Sequence, residues 1–384
     1  MDFELNEDQR AFADTARQFA QERLAPMAAE WDEKQHFPVD VLREAGELGF
    51  MSLYTPEAQS GLGLSRLDSS IIFEQLAMGC TSTTAFMTIH NMVSWMVASF
   101  GSKEVQETYC PKLVTGEYLG SYCLTEPNAG SDAASLTTTA KKMGDYYVLN
   151  GSKAFISGAG ETQVLVVMAR TSDEKAKGIS AFVVSADAEG ISYGRKEPKM
   201  GWNSQPTRMI TFDKVSIPAS HLLGQEGEGF TFAMKGLDGG RINIATCSLG
   251  TAQQALDSTK LYLQERRQFA KPLADFQGLQ FRLADMATEL VAARQLVRYA
   301  ASKLDAGSND ATAYCAMAKR FATDVGFKVC DQALQLHGGY GYIREYPLER
   351  YFRDVRVHQI LEGTNEIMRL IIARRLLTES AELL

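Results

Sequence analysis

Glu362 stands in the run Ile360-Leu361-Glu362-Gly363-Thr364-Asn365-Glu366-Ile367-Met368-Arg369, with two apolar residues before it and Gly-Thr-Asn after it. A carboxylate walled by apolar side chains has its charged form disfavoured, so its pKa rises toward neutral pH. Such a group can abstract a proton. Gly-Thr-Asn also reads as a helix start, and an acid stabilised there by the helix dipole is the plainer account of the same residues.

Four other segments could carry chemistry. In Tyr122-Cys123-Leu124-Thr125-Glu126-Pro127-Asn128-Ala129-Gly130-Ser131-Asp132 a strand feeds a turn rich in hydroxyls and backbone donors, able to wrap a flat polar ligand or a phosphate. An ordinary β-turn explains it as well. Asn150-Gly151 reads as a tight hairpin turn, followed by Phe155, Ile156 and Ser157, an aromatic and a hydroxyl that could flank a ring. Arg266, in Glu265-Arg266-Arg267-Gln268-Phe269 and followed by Phe276 and Gln277, offers a planar fork for a phosphate, or a solvated charge at a helix end. Gln335-Leu336-His337-Gly338-Gly339 permits close backbone approach to a ligand, or caps a helix. None of these is a Gly-x-Gly-x-x-Gly fingerprint or a Walker A loop.

Three regions must position these segments. Residues 1–120 read as helical, with Phe12, Thr15, Ala16, Phe19, Ala20 and Leu24 forming one apolar face and a second helix running from Pro38 to Leu48. Residues 121–225 hold short runs of branched and aromatic residues between Gly, Asn and Asp clusters, which predicts an antiparallel β domain. Residues 226–384 return to long helical periods suited to an antiparallel bundle. The absence of strand–helix–strand alternation disfavours a doubly wound nucleotide fold.

Composition narrows the function. The 384 residues carry a formal charge of −8, with no basic patch or zinc-finger spacing, so nucleic acid is not an expected partner. Six cysteines lie scattered in apolar segments without a Cys-x-x-Cys pair, which points to reduced core residues. Five dispersed histidines give no metal-ligand spacing, so no metal is expected. No apolar run reaches the roughly 18 residues of a membrane span, and the first residues lack a signal-peptide layout. A reducing compartment fits: the cytoplasm of a bacterium, or the mitochondrial matrix for a mature eukaryotic chain.

Taken in order, Tyr-Cys-Leu-Thr-Glu-Pro-x-x-Gly-Ser-Asp, Asn-Gly-x-Lys-x-Phe-Ile-Ser, Glu-Arg-x-x-Phe, His-Gly-Gly-x-Gly-Tyr and Leu-Glu-Gly-Thr resemble the acyl-CoA dehydrogenase family over essentially the whole chain. The resemblance implies a mainly α chain: an N-terminal helical domain, a middle β-barrel and a C-terminal four-helix bundle, usually in a homotetramer. It implies FAD between barrel and bundle, held by Tyr122, Cys123, Leu124, Thr125, Gly130, Ser131, Phe155, Ile156, Ser157, Thr364, Asn365 and Glu366. Arg266, Phe276, Gln277 and the run Gln335, Leu336, His337, Gly338, Gly339 would serve the far end of the cofactor from a neighbouring subunit. Ser131, Asp238, Gly239, Gly240, Arg241, Gly363 and Arg374 match positions that contact acyl-CoA. Glu362 matches the base that takes the α proton. The alternative position for that base in some relatives falls at Gly240, which has no side chain.

Reduced flavin would pass electrons to an electron-transferring flavoprotein. Trp202 either lies on that path or packs, and packing is the preferred reading. Gly79-Cys80-Thr81-Ser82-Thr83-Thr84-Ala85 and Gly201-Trp202-Asn203-Ser204-Gln205 are similar to the branch that converts isobutyryl-CoA to methacrylyl-CoA in valine breakdown. Straight short-chain and 2-methylbutyryl substrates, an oxidase on the same fold and a non-catalytic binding protein are the alternatives.

Overall fold

The computed structural model describes residues 4–378. The chain begins with six helices: α1 (Glu7–Phe19), α2 (Ala28–Lys34), α3 (Val39–Glu47), α4 (Arg66–Gly79), α5 (Thr81–Phe100) and α6 (Lys103–Val114). Side chains set several of their starts. Asn6 and Gln9 form a reciprocal capping box on α1, and Ser65 and Ser102 cap α4 and α6. Ala16, Phe19, Ala20 and Leu24 are buried as one face, the last two in a π-helical turn that extends α1. Thr15 does not share that face: it is exposed and returns its hydroxyl to the Ala11 carbonyl.

Eight strands form the middle sheet: β1 (Gly120–Cys123), β2 (Thr139–Met143), β3 (Tyr146–Ser157), β4 (Val164–Arg170), β5 (Ile179–Ser185), β6 (Ile191–Tyr193), β7 (Thr207–Pro218) and β8 (Leu222–Leu223). Their order is β6-β7-β3-β2-β4-β5-β8, with β1 on β4. Both faces of β4 are buried. Val164, Val166 and Met168 pack toward Met92 and Phe232 on the helices, while Leu165, Val167 and Ala169 pack with Phe182 and Phe212 inside the sheet. That double burial is why this strand reads as an unbroken apolar run.

Two expectations need correcting. The sheet is not purely antiparallel: β1 pairs with β4 in parallel, Gly120 opposite Val164. Asn150-Gly151 is not a hairpin turn but lies within the continuous strand β3, where the register against β7 shifts between Leu149 and Gly151. The extra residue lies on β7, where Asp213 and Lys214, the latter at φ 54°, bulge opposite Asn150.

The chain continues through α7 (Gly229–Glu265), a two-stranded ribbon of β9 (Arg267–Gln268) and β10 (Lys271–Pro272), α8 (Gln277–Asp305), α9 (Ala311–His337), α10 (Gly339–Tyr342), α11 (Leu348–Arg356) and α12 (Asn365–Thr378). Helices α7, α8, α9 and α12 make the C-terminal bundle, with Leu249, Leu290, Val297, Val325 and Val329 in its core. α4 packs along α7, and Glu74 of α4 is buried in an ion pair with Arg294 of α8 at 2.7 Å. The N-terminal helices and the bundle are thereby joined.

One buried ion pair fixes the turn after β1. The Lys153 ammonium, fully buried on β3, donates to Glu126 Oε1 at 2.8 Å and to the Leu124 carbonyl at 3.1 Å. Glu126 also accepts from the backbone N–H groups of Thr137 and Thr138. These partners hold its carboxyl down at about 2 although burial pushes it up. Breaking such a pair leaves a buried charge uncompensated. Lys153→Met is expected to lower stability by about 3–5 kcal/mol at pH 7, measured by thermal or urea unfolding; a loss under ~1 kcal/mol would show that the pair does not hold the turn.

Candidate active site

Glu362 lies in the turn between α11 and α12, at φ 55°, followed by Gly363 at φ 85°. A non-glycine residue in the left-handed region costs roughly 1–2 kcal/mol, so the surrounding structure must hold it. Its carboxylate rests on the backbone of α7. A Cβ at Gly240 would overlap Glu362 Oε2, so the missing side chain there is what lets the carboxylate in.

Glu362 Oε2 is buried without a hydrogen-bond partner among the described residues. Burial raises the carboxyl to about 7, against the opposing pull of Arg241 and Lys319. The sequence neighbours contribute less to this than their types imply. Ile360 is 51% exposed and Leu361 turns toward Trp202, Ile244 and Cys247. The burial is tertiary, supplied from α7 and the segments packed on it.

Further polar groups surround the same stretch of α7. Tyr122, at the end of β1, has a buried hydroxyl without a partner and feels the Glu362 charge. Arg241 pairs with Asp238 at 2.6 Å, and its Nε is unpartnered. Asp238 also accepts from Thr312 Oγ1 at 2.7 Å. Arg66 of α4 stacks its guanidinium 3.4 Å above the Tyr54 ring, and its Nη1 is buried and unpartnered against Gly239. The Tyr54 hydroxyl accepts from Asn243 at 3.2 Å. Unpartnered buried polar atoms gathered around one stretch of helix mark a place built to receive a ligand.

The turn held by Glu126 brings Thr125, Gly130 and Ser131 to the surface beside β3. Thr125 and Ser157 are half-buried, and Gly130 and Ser131 are exposed. Phe155, at φ 57°, is 71% exposed, an aromatic face beside that turn. Cys123, Leu124 and Ile156 differ: their side chains are buried in the core, so only their backbone can meet a ligand. Thr364 Oγ1 accepts from the Ile367 N–H at 3.3 Å and caps α12. Glu366 is exposed. Asn365 turns inward, and its amide is occupied by Asp324, Thr323 and Lys319. Its side chain therefore cannot reach a cofactor. Arg374 is exposed near the end of α12, roughly 14 Å of helix beyond Asn365. Trp202 is packed, its indole N–H donating to His358 at 3.2 Å.

A second cluster forms at the far end of α7. Arg266, Gln335, Leu336, His337, Gly338 and Gly339 line one groove of about 710 Å³ with Tyr262 and Tyr340. Among the described residues, no atom occupies the space beside Gly338 or Gly339, and His337 Nε2 is buried without a partner. Phe276 and Gln277 sit beyond the ribbon at the start of α8, as its N-cap and first residue, Gln277 exposed. Arg266 lies 26 residues beyond Gly240, roughly 39 Å along the helix. One chain thus presents two half-sites, one over the stretch of α7 around Gly240 and one at the C-terminal end of that helix.

Sequence reasoning missed Tyr54, Arg66 and Lys319. Lys319 left a trace: it lies among Cys315, Ala316, Ala318 and Ala322 on the apolar side of α9, where a lysine has no reason to be unless paired.

Comparison with known proteins gives the same picture along the whole chain. Family profiles match residues 6–117 as acyl-CoA dehydrogenase, N-terminal domain, 121–215 as the middle domain and 227–377 as the C-terminal domain. The chain is 54% identical over 375 residues to the mitochondrial isobutyryl-CoA dehydrogenase of Bos taurus, covering 98% of this chain and 90% of that protein. It is 39% identical to butyryl-CoA dehydrogenase from Megasphaera elsdenii, covering 98% and 100% of the two chains with a TM-score of 0.95. A structure of PigA with FAD and proline matches at 29% identity and TM-score 0.95, covering 98% and 99%.

The raised Glu362 carboxyl has a stability cost with a definite sign. A carboxyl whose folded pKa of about 7 exceeds its ordinary 4.5 stabilises the protein fully below 4.5 and loses that contribution as pH rises through 7. Glu362→Gln, a neutral mimic of the protonated form, is therefore expected to stabilise the protein by on the order of 1–3 kcal/mol at pH 8 and by little at pH 4.5. Thermal midpoints of both proteins across that range measure it; equal midpoints at pH 8 would mean that the carboxyl is not desolvated.

Proposed function

The chain belongs to the acyl-CoA dehydrogenase family, and from that membership we propose that it oxidises isobutyryl-CoA to methacrylyl-CoA, with Glu362 as the base that removes the α proton. The observation that carries the role of Glu362 is its unpaired, buried Oε2 over Gly240, with the carboxyl raised to about 7. A base for a weakly acidic C–H must be strong yet ionised, and a pKa near working pH meets both demands. Arg241 and Lys319 keep the ionised form accessible, while burial keeps it reactive.

We assign FAD to this chain. The residues fit such a group: the open turn from Thr125 to Ser131 beside the exposed Phe155, and, in the second half-site, Arg266 facing the glycine corner at Gly338 and Gly339. When bound, FAD supplies the acceptor for the two electrons and the β hydrogen that leave the substrate. Thr125 and Ser157 bind its ring, and Arg266 binds phosphate. Since the two half-sites lie roughly 39 Å apart along α7, a neighbouring copy completes each site, and a homotetramer provides it. An electron-transferring flavoprotein is the proposed acceptor for the electrons released. Asp238, Arg241, Gly363 and Arg374 are assigned to the CoA thioester.

The 54% identity to an isobutyryl-CoA dehydrogenase supports the α-branched substrate over straight chains. One methylene shifts such discrimination by about 1–3 kcal/mol, so neighbouring short acyl chains are handled as slower substrates.

Anaerobic bleaching of the flavin is expected to be faster in kcat/KM with isobutyryl-CoA than with butyryl-CoA; the reverse order would sink the substrate assignment. Glu362→Gln should keep FAD and acyl-CoA binding but lose dehydrogenation by at least about 10²-fold. Arg266→Ala should lose FAD on dilution and gel filtration, followed by flavin absorbance per chain, and unchanged occupancy would remove Arg266 from the phosphate site.

A further inference from the structure

We propose that Lys319 is a positioning residue for Glu362: its buried ammonium grips the Gly363 carbonyl and the Asn365 side chain, and so holds the Glu362–Gly363 turn over Gly240. The proposal rests on the reading of Glu362 as the proton acceptor.

Lys319 is fully buried on α9, among residues that pack the bundle. Burying an ammonium is costly unless its donors are satisfied. Two are: Nζ donates to the Gly363 carbonyl at 2.7 Å and to Asn365 Oδ1 at 2.9 Å. Asn365 is tied in turn, donating to Asp324 at 2.7 Å and to Thr323 at 3.0 Å. Lys319, Thr323 and Asp324 all stand on α9, so the grip ties the turn to that helix through three of its side chains. It falls where the chain needs it. Glu362 and Gly363 are both left-handed, at φ 55° and 85°, and a glutamate does not choose that conformation unaided. The Gly363 carbonyl is the backbone atom that the lysine seizes.

Charge adds a second effect. Glu362 faces Lys319 from α9, Arg241 from α7, Tyr122 from β1 and Tyr54 from the segment before α4. Lys319 faces Glu362, Asp324 on its own helix, Glu366 of α12, Arg241 of α7 and His358. Burial pulls Lys319 down to about 7, and the Glu362 and Asp324 charges oppose that fall. The ammonium lowers the Glu362 carboxyl, so removing it moves that carboxyl up. A lysine that only filled space would do neither.

Lys319→Met keeps the stem and removes both donors and charge. In the FAD-loaded tetramer, kcat with isobutyryl-CoA at pH 7 should fall about 10- to 100-fold, with KM changed by less than about threefold. The acid limb of kcat/KM should move up by about one pH unit. Lys319→Gln keeps one donor for the Gly363 carbonyl without the charge. It should recover part of kcat while its acid limb stays displaced. Infrared difference spectra against Glu362→Gln follow the carboxyl directly, and its midpoint should rise in both variants whatever their turnover.

Wild-type kcat and acid limb in a folded Lys319→Met would overturn the proposal. So would a lowered melting temperature with the infrared midpoint unmoved, the mark of a purely structural lysine. If Lys319→Met does not fold, Lys319→Gln decides: a midpoint and limb at their wild-type positions overturn it. If the wild-type protein fails to bleach with any short acyl-CoA, the reading of the reaction fails, and the infrared midpoint still decides the role of Lys319.

Discussion

The contact of the Glu362 carboxylate with the bare backbone at Gly240 is the constraint on which the rest of the site depends. A side chain at Gly240 would occupy the space of Glu362 Oε2. Because the carboxylate comes so close to α7, the turn that carries it must run through two left-handed residues. Because it is covered there, its charge is disfavoured and its affinity for a proton rises. Geometry and basicity thus follow from one packing decision. α7 serves both sites: its first third carries the floor for Glu362, and its C-terminal end carries Arg266 into a second groove.

Burial of charge recurs where the chain must be held against its local preference. Lys153 and Glu126 fix the turn after β1, and Lys319 and Asn365 fix the turn before α12. Each pairs a buried ammonium with a backbone carbonyl as well as an oxygen-bearing side chain. A buried ion pair is a poor source of stability, but its directed hydrogen bonds select one conformation over its neighbours. The two turns assigned to the proposed cofactor and substrate sites are the places where such selection matters. The β1 turn sits between strands, and the Glu362 turn sits between helices, so neither can borrow its shape from a regular element.

Much of this was legible in the sequence, for physical reasons that differ from residue to residue. The helix expected from Pro38 to Leu48 runs Val39–Glu47, because a proline at its start and an apolar face are local signals. The buried strand β4 announces itself because both of its faces meet apolar neighbours. Asn150-Gly151 misled because the same pair serves a hairpin turn or the interior of a strand opposite a bulge, and only the neighbouring strand β7 decides which. Ile360 misled differently. It stands beside Glu362 in the chain but faces outward, and the groups around the carboxylate come from distant elements, Tyr122 on β1, Gly240 and Arg241 on α7 and Lys319 on α9. Asn365 reads as a ligand contact beside Thr364, yet its amide is spent inside the bundle. Tertiary partners of this kind leave no local pattern.

The two cations near Glu362 settle a balance that neither burial nor charge could strike alone. Desolvation without a nearby cation would carry the carboxyl further above neutrality, and a protonated carboxyl is no base. Cations without desolvation would hold it near or below its ordinary range, where it is ionised but too weak to draw a proton from carbon. One pKa unit is worth about 1.4 kcal/mol, so small changes in either influence move the group off its useful point. Arg241 is itself restrained by Asp238 at 2.6 Å, which mutes its field, and Lys319 is restrained by Asp324 and by its own burial. Each cation is thus partly neutralised before it acts on Glu362. That arrangement leaves the carboxyl at about 7, where the proposed base is both substantially ionised and close to its greatest strength.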